Sequence, residues 1–266
     1  MEDYPQVMND AFQEAVASNP GGAGIFTDFD GTLSHIVEVP SDARPVDGAR
    51  EILSELSDRL GVVAIVSGRA AGELLEWLGP DVEIWGVHGG EHTVDGRVEL
   101  TGAAADFAAL IKRAHTDLQT RLAKLKLPGT ILEDKTIMLA LHYRNASDPD
   151  AARKALLGLA TESAQKHDLV ASEGRMVIEL RPPVEFSKAD VVRRRSAELE
   201  LRAAAFIGDD TVDLPGYAAL DELAKGGVAT TRVGVRSPES PAQLLERADV
   251  VVDGPEGTLE WLRSLL

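Results

Sequence analysis

Short apolar runs alternate along the chain with longer segments in which apolar residues recur every three or four positions. The short runs predict buried strands and the longer segments predict amphipathic helices, beginning with a helix over 2–18. Buried strands are predicted at 24–27, 62–66, 82–87, 203–207 and 231–235. Alternating strands and helices indicate a parallel sheet with right-handed crossovers, whose ligands bind at the carboxyl ends of the strands. We therefore predict an α/β fold with a Rossmann-like parallel sheet.

The pattern changes in the middle of the chain. A long amphipathic helix is followed there by two strands, a second helix and a strand pair, without the strand–helix–strand rhythm of the flanking segments. This order predicts a small α+β domain, or cap, inserted into the sheet protein over 102–183. The core is then discontinuous and comprises residues 1–101 and 184–266.

Two carboxylates stand at the end of the first predicted strand. Asp28 and Asp30 follow an apolar run and precede Gly31 and Thr32. Residues two apart in an extended chain point the same way, so these acids repel each other unless a cation or a shared proton relieves them. Mg²⁺ suits such oxygen ligands, and a carboxylate beside it can act as a nucleophile toward phosphate. The alternative is a simple turn in which Asp and Gly serve turn geometry.

The second predicted strand ends in Ser67, Gly68 and Arg69, on the same rim of the sheet. A serine hydroxyl there can hold a phosphate oxygen, and the forked donors of Arg69 can reach a phosphate or a sugar hydroxyl. Ser67 as an ordinary helix N-cap is the alternative interpretation.

The returning segment adds a cation and a second acid pair. Ser187 is a plausible N-cap, which places Lys188 in the first turn of a helix, where the helix dipole disfavours a cation unless an anion lies nearby. Lys188 could neutralise Asp28, although an exposed surface lysine is the alternative. Asp209 and Asp210 follow the strand at 203–207 and can supply further ligands for a hard cation.

The segment from His88 to His92 matches the His-x-x-Glu-His pattern of inverted zinc peptidases. That chemistry requires a helix, and Gly89 and Gly90 would each destabilise a helix interior by roughly 1 kcal/mol. A loop is therefore favoured.

The predicted cap carries polar residues on and beside its strands: Glu133, Lys135, Arg144 and Glu179. Charges at strand ends are commonly just solvated. Several together favour recognition of a hydroxyl-rich ligand, because carboxylates accept and Lys and Arg donate the hydrogen bonds that sugars offer.

The amino-acid composition limits the classes of molecule that the protein is expected to bind. The net charge of −17, from 44 acids and 27 Lys and Arg residues, argues against nucleic acid and anionic membrane. The absence of cysteine excludes disulfides and thiolate chemistry. No secretory signal or apolar run of about 18 residues is visible. We expect a monomeric cytoplasmic protein that acts on a small molecule.

These motifs, in this order and on these strand ends, resemble those of the haloacid-dehalogenase-like phosphatases. Within that superfamily, Ser67-Gly68-Arg69, residues 86–91, 133–135, 142–144 and 177–182 resemble the trehalose-6-phosphate phosphatases. The resemblance implies the residues that would react, bind and hold Mg²⁺. Asp28 would be the nucleophile, Asp30 the general acid and base, and Ser67 and Lys188 the phosphate ligands. Mg²⁺ would be held by Asp28, the main-chain carbonyl of Asp30, and Asp209, and the sugar phosphate by Arg69, Glu133, Lys135, Arg144 and Glu179.

The chain departs from that family at Val212 and Leu214, where Thr and Glu are usual, and at Ala189, where Gly is usual. The reaction type is unaffected by these changes, but the substrate is less firmly indicated than the chemistry. A glucosylglycerol phosphate or a pseudo-sugar phosphate of antibiotic synthesis is the alternative substrate. A phosphomutase and a non-catalytic sugar-phosphate sensor are the other classes considered. Whether Asp210 or Asp213 touches the metal is left open.

Overall fold

The apolar runs of the first and last chain segments form one sheet, and those of the middle segment form another. The computed structural model describes residues 10–37, 39–174, 176–183 and 186–266. The strands are β1 (Ala23–Thr27), β2 (Val62–Val66), β3 (Glu83–Gly86), β4 (Glu91–Val94), β5 (Arg97–Leu100), β6 (Ile131–Asp134), β7 (Leu139–His142), β8 (Val170–Gly174), β9 (Val177–Arg181), β10 (Ala203–Gly208), β11 (Ala229–Arg236) and β12 (Val250–Asp253).

The amphipathic segments of the sequence form helices that connect the strands. They are α1 (Asp10–Ser18), α2 (Ala49–Ser57), α3 (Ala71–Leu78), α4 (Gly102–Leu125), α5 (Pro149–Lys166), α6 (Lys188–Glu198), α7 (Leu214–Lys225), α8 (Ala242–Arg247) and α9 (Gly254–Arg263). The part of the first predicted helix at 2–9 lies outside the described residues. None of the helices described combines the length and the apolar character needed to cross a membrane.

The chain divides into unit 1, Met1–Glu99 with Phe186–Leu266, and unit 2, Leu100–Glu185. Unit 2 extends two residues beyond the predicted cap segment 102–183 at each end.

The large sheet has the strand order β12-β11-β10-β1-β2-β3-β4-β5, and the first six strands are parallel. Every residue of β1 is buried because helices cover both faces of the sheet. Ile25 belongs to the apolar cluster that includes α1, α2, α3 and α9, and Phe26 to the cluster that includes α6 and α7. The predicted α/β fold with a Rossmann-like parallel sheet is confirmed.

The antiparallel hairpin of β4 and β5 at the sheet edge was not predicted from the apolar pattern. Its strands carry few apolar residues: Val94 and Val98 are exposed, and Leu100 is half-buried. The sequence does hold a turn signal: Asp95 and Gly96 both have positive φ, at 50° and 70°, as an Asp-Gly hairpin turn requires.

The four-stranded sheet of unit 2 is antiparallel, in the order β6-β7-β9-β8. Residues of one face, including Leu139, Leu141 and Leu180, are buried with residues of α4 and α5 in one apolar cluster. The residues between them in each strand point to the other face, which carries the polar side chains described below.

Candidate active site

The two predicted acid groups meet because β1 and β10 are parallel neighbours in register. Thr27 lies opposite Ile207, and the backbone N–H of Asp28 donates to the carbonyl of Ile207 at 2.9 Å. The carboxylates of Asp28 and Asp209 therefore emerge at the same carboxyl edge of the sheet. Both residues are buried.

Of the two candidates for further metal contact, Asp210 and Asp213, the structure brings Asp213 into the cluster. Asp28, Asp209 and Asp213 each offer a carboxylate oxygen, and these oxygens lie within 4.8 Å of one another. One oxygen of Asp213 accepts the backbone N–H groups of Asp209 and Asp210, at 3.0 and 3.1 Å. Asp210 instead forms a capping box with Asp213 in the turn after β10. Asp213 thus fixes the loop that carries Asp209.

Lys188 balances part of this negative charge. It begins α6 after the N-cap Ser187, as predicted, and its side chain is only 1% exposed. Its ammonium lies 2.8 Å from Asp28 Oδ2 and 2.6 Å from Asp213 Oδ1. Burial alone would lower the pKa of this lysine, but the two carboxylates outweigh burial and raise it. The anions expected beside a cation at a helix start are therefore present, and the surface-lysine alternative is wrong.

Burial and mutual repulsion destabilise the ionised forms of Asp28 and Asp209, despite the nearby lysine. Burial raises the pKa of Asp28 to about 6, with Asp213 adding to the shift and Lys188 opposing it. Burial and the neighbouring carboxylates, led by Asp28, raise the pKa of Asp209 to about 8. A hard divalent cation would relieve this repulsion, and an all-oxygen donor set suits Mg²⁺. The residues present fit a magnesium site formed by Asp28 and Asp209, with Asp213 beside it.

Two glycines allow this close packing of carboxylates. Gly31 has a φ of 75°, and a Cβ atom on it would overlap the carboxylate of Asp209. A Cβ atom on Gly208 would overlap the carboxylate of Asp213. Any side chain at Gly31 would therefore both strain the backbone and displace a candidate metal ligand.

Ser67 is buried at the end of β2, on the rim that Asp28 also occupies. Its hydroxyl oxygen accepts the backbone N–H of Arg69 at 3.3 Å. The following helix begins at Ala71 with Ala70 as its N-cap, so the interpretation of Ser67 as that N-cap is wrong.

Arg69 pairs with Asp30 through two parallel hydrogen bonds. Its Nε donates to Asp30 Oδ2 and its Nη2 to Asp30 Oδ1, both at 2.8 Å. The structure therefore brings together the predicted general acid and a residue predicted to bind substrate. The direct contact of Arg69 with substrate stays a prediction.

The segment that matches the zinc-peptidase pattern is not a helix of the required kind. Val87–Gly89 forms a 3₁₀ turn, and Glu91 and His92 belong to β4. Glu91 accepts the backbone N–H of Ala71 at 2.8 Å, and His92 stacks on Trp85. The segment is thus not a helix, as expected, but only its first part is a turn, and Glu91 binds the backbone at the start of α3.

The polar residues of unit 2 share one face of its sheet. Glu133 lies opposite Ala140, which lies opposite Glu179 on the next strand. His142, the first residue of the motif at 142–144, has its Nε2 2.7 Å from Glu133 Oε2. Lys135 is 3.8 Å from Glu133, and Arg144 is exposed in the turn after β7. Glu133, His142 and Glu179 thus lie on one face of this sheet, with Lys135 beside Glu133.

Comparison with known proteins places these features in a family. The trehalose-phosphatase family model matches residues 26–250. A trehalose-phosphate phosphatase of Mycobacterium leprae (strain TN) is 34% identical over 215 residues, which cover 77% of this chain and 49% of that protein. The chain thus spans about half the length of that relative.

Solved structures agree on the fold. The C-terminal domain of a trehalose-6-phosphate phosphatase from C. albicans has a TM-score of 0.71 and 25% identity, covering 100% of this chain and 99% of that one. A haloacid dehalogenase-like hydrolase from Bacteroides thetaiotaomicron shares the fold, with a TM-score of 0.57 and 15% identity, covering 92% of this chain and 99% of that one. The core with its inserted α+β segment is therefore of the haloacid-dehalogenase type, and the chain belongs to the trehalose-phosphatase family.

Proposed function

We propose that this chain is a Mg²⁺-dependent phosphatase that hydrolyses trehalose 6-phosphate to trehalose and phosphate through an aspartyl-phosphate intermediate. The observation that carries the proposal is the buried cluster of Asp28, Asp209, Asp213 and Lys188 at the carboxyl edge of the sheet in a member of this family. A cluster that concentrates like charges in a buried place is expected at a catalytic site.

In the first half-reaction, an oxygen of Asp28 attacks the phosphorus, and the bond from phosphorus to the sugar oxygen breaks. Asp30 gives its proton to that departing oxygen. Lys188 remains beside Asp28, 2.8 Å away, and Ser67 would donate its hydroxyl to a phosphoryl oxygen. Mg²⁺ held by Asp28, Asp209 and the carbonyl of Asp30 would supply positive charge to the phosphoryl oxygens.

In the second half-reaction, a water molecule attacks the phosphorus of the aspartyl phosphate. Asp30 takes a proton from this water, the bond between phosphorus and Asp28 breaks, and phosphate leaves. The enzyme returns to its starting protonation state. One carboxyl group thus serves as acid and then as base, which requires that it be held in one place.

The sugar is assigned to the polar face of unit 2. Glu133, Lys135, Arg144 and Glu179 offer acceptors and donors for sugar hydroxyls, and carboxylates bind pairs of hydroxyls well. These roles follow the family resemblance and the chemistry of the side chains. The partner is therefore a small sugar phosphate, and we propose that the chain acts as a monomer, which light scattering during gel filtration would test.

The first experiment is phosphate release from a panel of sugar phosphates, with Mg²⁺ and with EDTA. Trehalose 6-phosphate should be preferred over glucose 6-phosphate, a glucosylglycerol phosphate and a pseudo-disaccharide phosphate, and EDTA should stop the reaction. Phosphate release only from another sugar phosphate of the panel would support the proposed chemistry but change the assigned substrate. Activity that EDTA leaves unchanged would contradict the metal assignment.

A variant separates catalysis from folding. Asp28→Asn keeps the shape of the side chain but removes the nucleophile, so we expect phosphate release to fall to background while the circular dichroism spectrum is unchanged. Retained turnover would refute the proposed nucleophile. Asp47→Asn, the same substitution at an exposed acid of the same unit, is the control and should leave turnover unchanged.

A further inference from the structure

Arg69 is more deeply buried than Asp30, the residue with which it pairs. The side chain of Arg69 is 10% exposed, whereas that of Asp30 is 40% exposed. The arginine is therefore the anchored partner, and the carboxylate is the one open to solvent and substrate. Two parallel N–H donors at 2.8 Å fix the plane of the carboxylate as well as its position, and they leave one lone pair on each oxygen for the proton that Asp30 transfers.

Aromatic rings hold the guanidinium of Arg69 from the side. It lies 5.6 Å from the ring centre of Phe29 and 5.2 Å from that of Trp77. The two rings are themselves stacked at 5.3 Å, and Arg44 lies 5.1 Å from the ring centre of Trp77. Distances below about 6 Å are those of attractive contacts between a cation and an aromatic ring.

The backbone of Arg69 is held by the neighbouring turn. Its carbonyl accepts the N–H of Val87, and the carbonyl of Ser67 accepts the N–H of His88, both at 2.8 Å. Val87 and His88 have positive φ angles of 48° and 57°, which are costly for such residues. Strained backbone of this kind persists where the surrounding structure fixes it, and such positions cluster at active sites.

We infer that Arg69 is a positioning residue for proton transfer, which acts through Asp30 and holds its carboxylate at the place where the sugar oxygen leaves and water enters. This inference rests on the proposed function, in which Asp30 is the acid and base. It differs from the sequence prediction that Arg69 binds the substrate directly. The two assignments predict different behaviour toward different leaving groups.

The test compares two substrates on the same variants. A sugar alkoxide needs a proton as it leaves, whereas 4-nitrophenolate leaves without one. Loss of a positioning residue for the acid therefore slows trehalose 6-phosphate far more than 4-nitrophenyl phosphate. Loss of a phosphate ligand slows both substrates alike and raises both KM values. Loss of a sugar ligand raises KM for trehalose 6-phosphate alone, whereas loss of the positioning residue lowers kcat for that substrate with little change in its KM.

Arg69→Lys is the main variant, because it keeps the positive charge but cannot supply the parallel donors. We expect kcat/KM for trehalose 6-phosphate to fall on the order of 10²-fold, as loss of general acid–base catalysis does, and that for 4-nitrophenyl phosphate to change by less than about 3-fold. Glu73→Gln is the matched control. It removes a carboxylate 3.8 Å from Arg69 that lies outside the pair with Asp30, and both substrates should stay within about 2-fold of the wild type.

Asp30→Asn and Trp77→Leu complete the set. Asp30→Asn should show the same selective loss, at least as large as that of Arg69→Lys. Trp77→Leu removes one supporting ring from Arg69, and it should give a weaker selective loss of about 3-fold or more, which keeps the test usable if Arg69→Lys does not fold.

The outcomes separate the two proposals. A selective loss with Asp30→Asn but an equal loss of both substrates with Arg69→Lys would overturn the positioning role and leave the proposed function standing. No selective loss with Asp30→Asn would overturn the acid role and the positioning role together. Selective losses in all three variants that lie in kcat, with Glu73→Gln unchanged, would support the inference. A selective loss with Arg69→Lys that lies in KM alone would overturn it in favour of direct sugar binding.

Discussion

Lys188→Met tests whether the buried lysine compensates the charge of the acid cluster. The lysine is 2% exposed and lies 2.8 Å from Asp28 and 2.6 Å from Asp213. Methionine keeps most of the apolar stem, so little cavity is created and the change reports mainly on charge. Removing one partner of a buried ion pair leaves the other charged and unsolvated, which costs about 3–5 kcal/mol. We expect the free energy of unfolding to fall by that amount.

Urea unfolding in EDTA, followed by tryptophan fluorescence, measures this loss in unit 1. The three tryptophans, Trp77, Trp85 and Trp261, all lie in unit 1. With an m-value of about 1–3 kcal/mol per molar urea, the midpoint should fall by roughly 1–5 M. Lys225→Met, the same substitution at an exposed position of that unit, should cost less than about 1 kcal/mol.

The double variant that combines Lys188→Met with Asp213→Asn tests whether lost charge compensation causes the loss of stability. If charge compensation is lost, removing an acid together with the lysine should cost less than the sum of the single changes, by about 0.5–3 kcal/mol. Equal costs for Lys188→Met and Lys225→Met, or strict additivity of Lys188→Met with Asp213→Asn, would refute the reasoning.

Three further predictions concern other parts of the molecule. Gly31→Ala should lower the free energy of unfolding by about 1–2 kcal/mol because of left-handed backbone strain. The new methyl group also displaces the Asp209 carboxylate, so Mg²⁺ should raise the thermal unfolding temperature of the variant less than that of the wild type. An equal rise in the two proteins would contradict this. Glu133→Gln should raise KM for trehalose 6-phosphate roughly 10-fold, because a charged hydrogen-bond acceptor is lost, and leave 4-nitrophenyl phosphate turnover unchanged. In unit 2, a hydrogen bond from Lys166 lowers the pKa of Asp117 below its ordinary value of 3.8. The stability that this carboxylate contributes is thus present at neutral pH and is lost as the pH falls through the lowered pKa. Asp117→Asn should therefore lower the free energy of unfolding by about 0.5–1 kcal/mol at pH 7. The difference in unfolding free energy between variant and wild type should shrink toward pH 3, which denaturant unfolding followed by circular dichroism would measure.

The strands and the acids at their ends were predictable from the sequence because both depend on short-range patterns. The apolar run of β1 followed by Asp28, and that of β10 followed by Asp209, predict a shared edge once the sheet is parallel. The roles of Asp213 and Arg69 depend instead on tertiary contacts. Asp213 is three residues from Asp210, but its bond to Lys188 joins two distant segments.

The pairing of Arg69 with Asp30 was not predictable for the same reason. An arginine at a strand end could face phosphate, sugar or a carboxylate, and the choice depends on how Phe29 and Trp77 pack beside it. The hairpin of β4 and β5 was missed because its apolar pattern is weak, although Asp95 and Gly96 held the turn signal.

The insertion of unit 2 between two segments of unit 1 has a consequence for synthesis on the ribosome. β1 lies between β2 and β10, and β10 begins at Ala203. At about 5–20 residues per second, roughly 10–40 s pass between the emergence of β1 and that of β10. One edge of β1 stays unpaired throughout this interval, which makes the nascent chain a candidate for chaperone binding. Unit 2 is contiguous, so its apolar cluster is fully synthesised before β1, the central strand of unit 1, acquires its second neighbour.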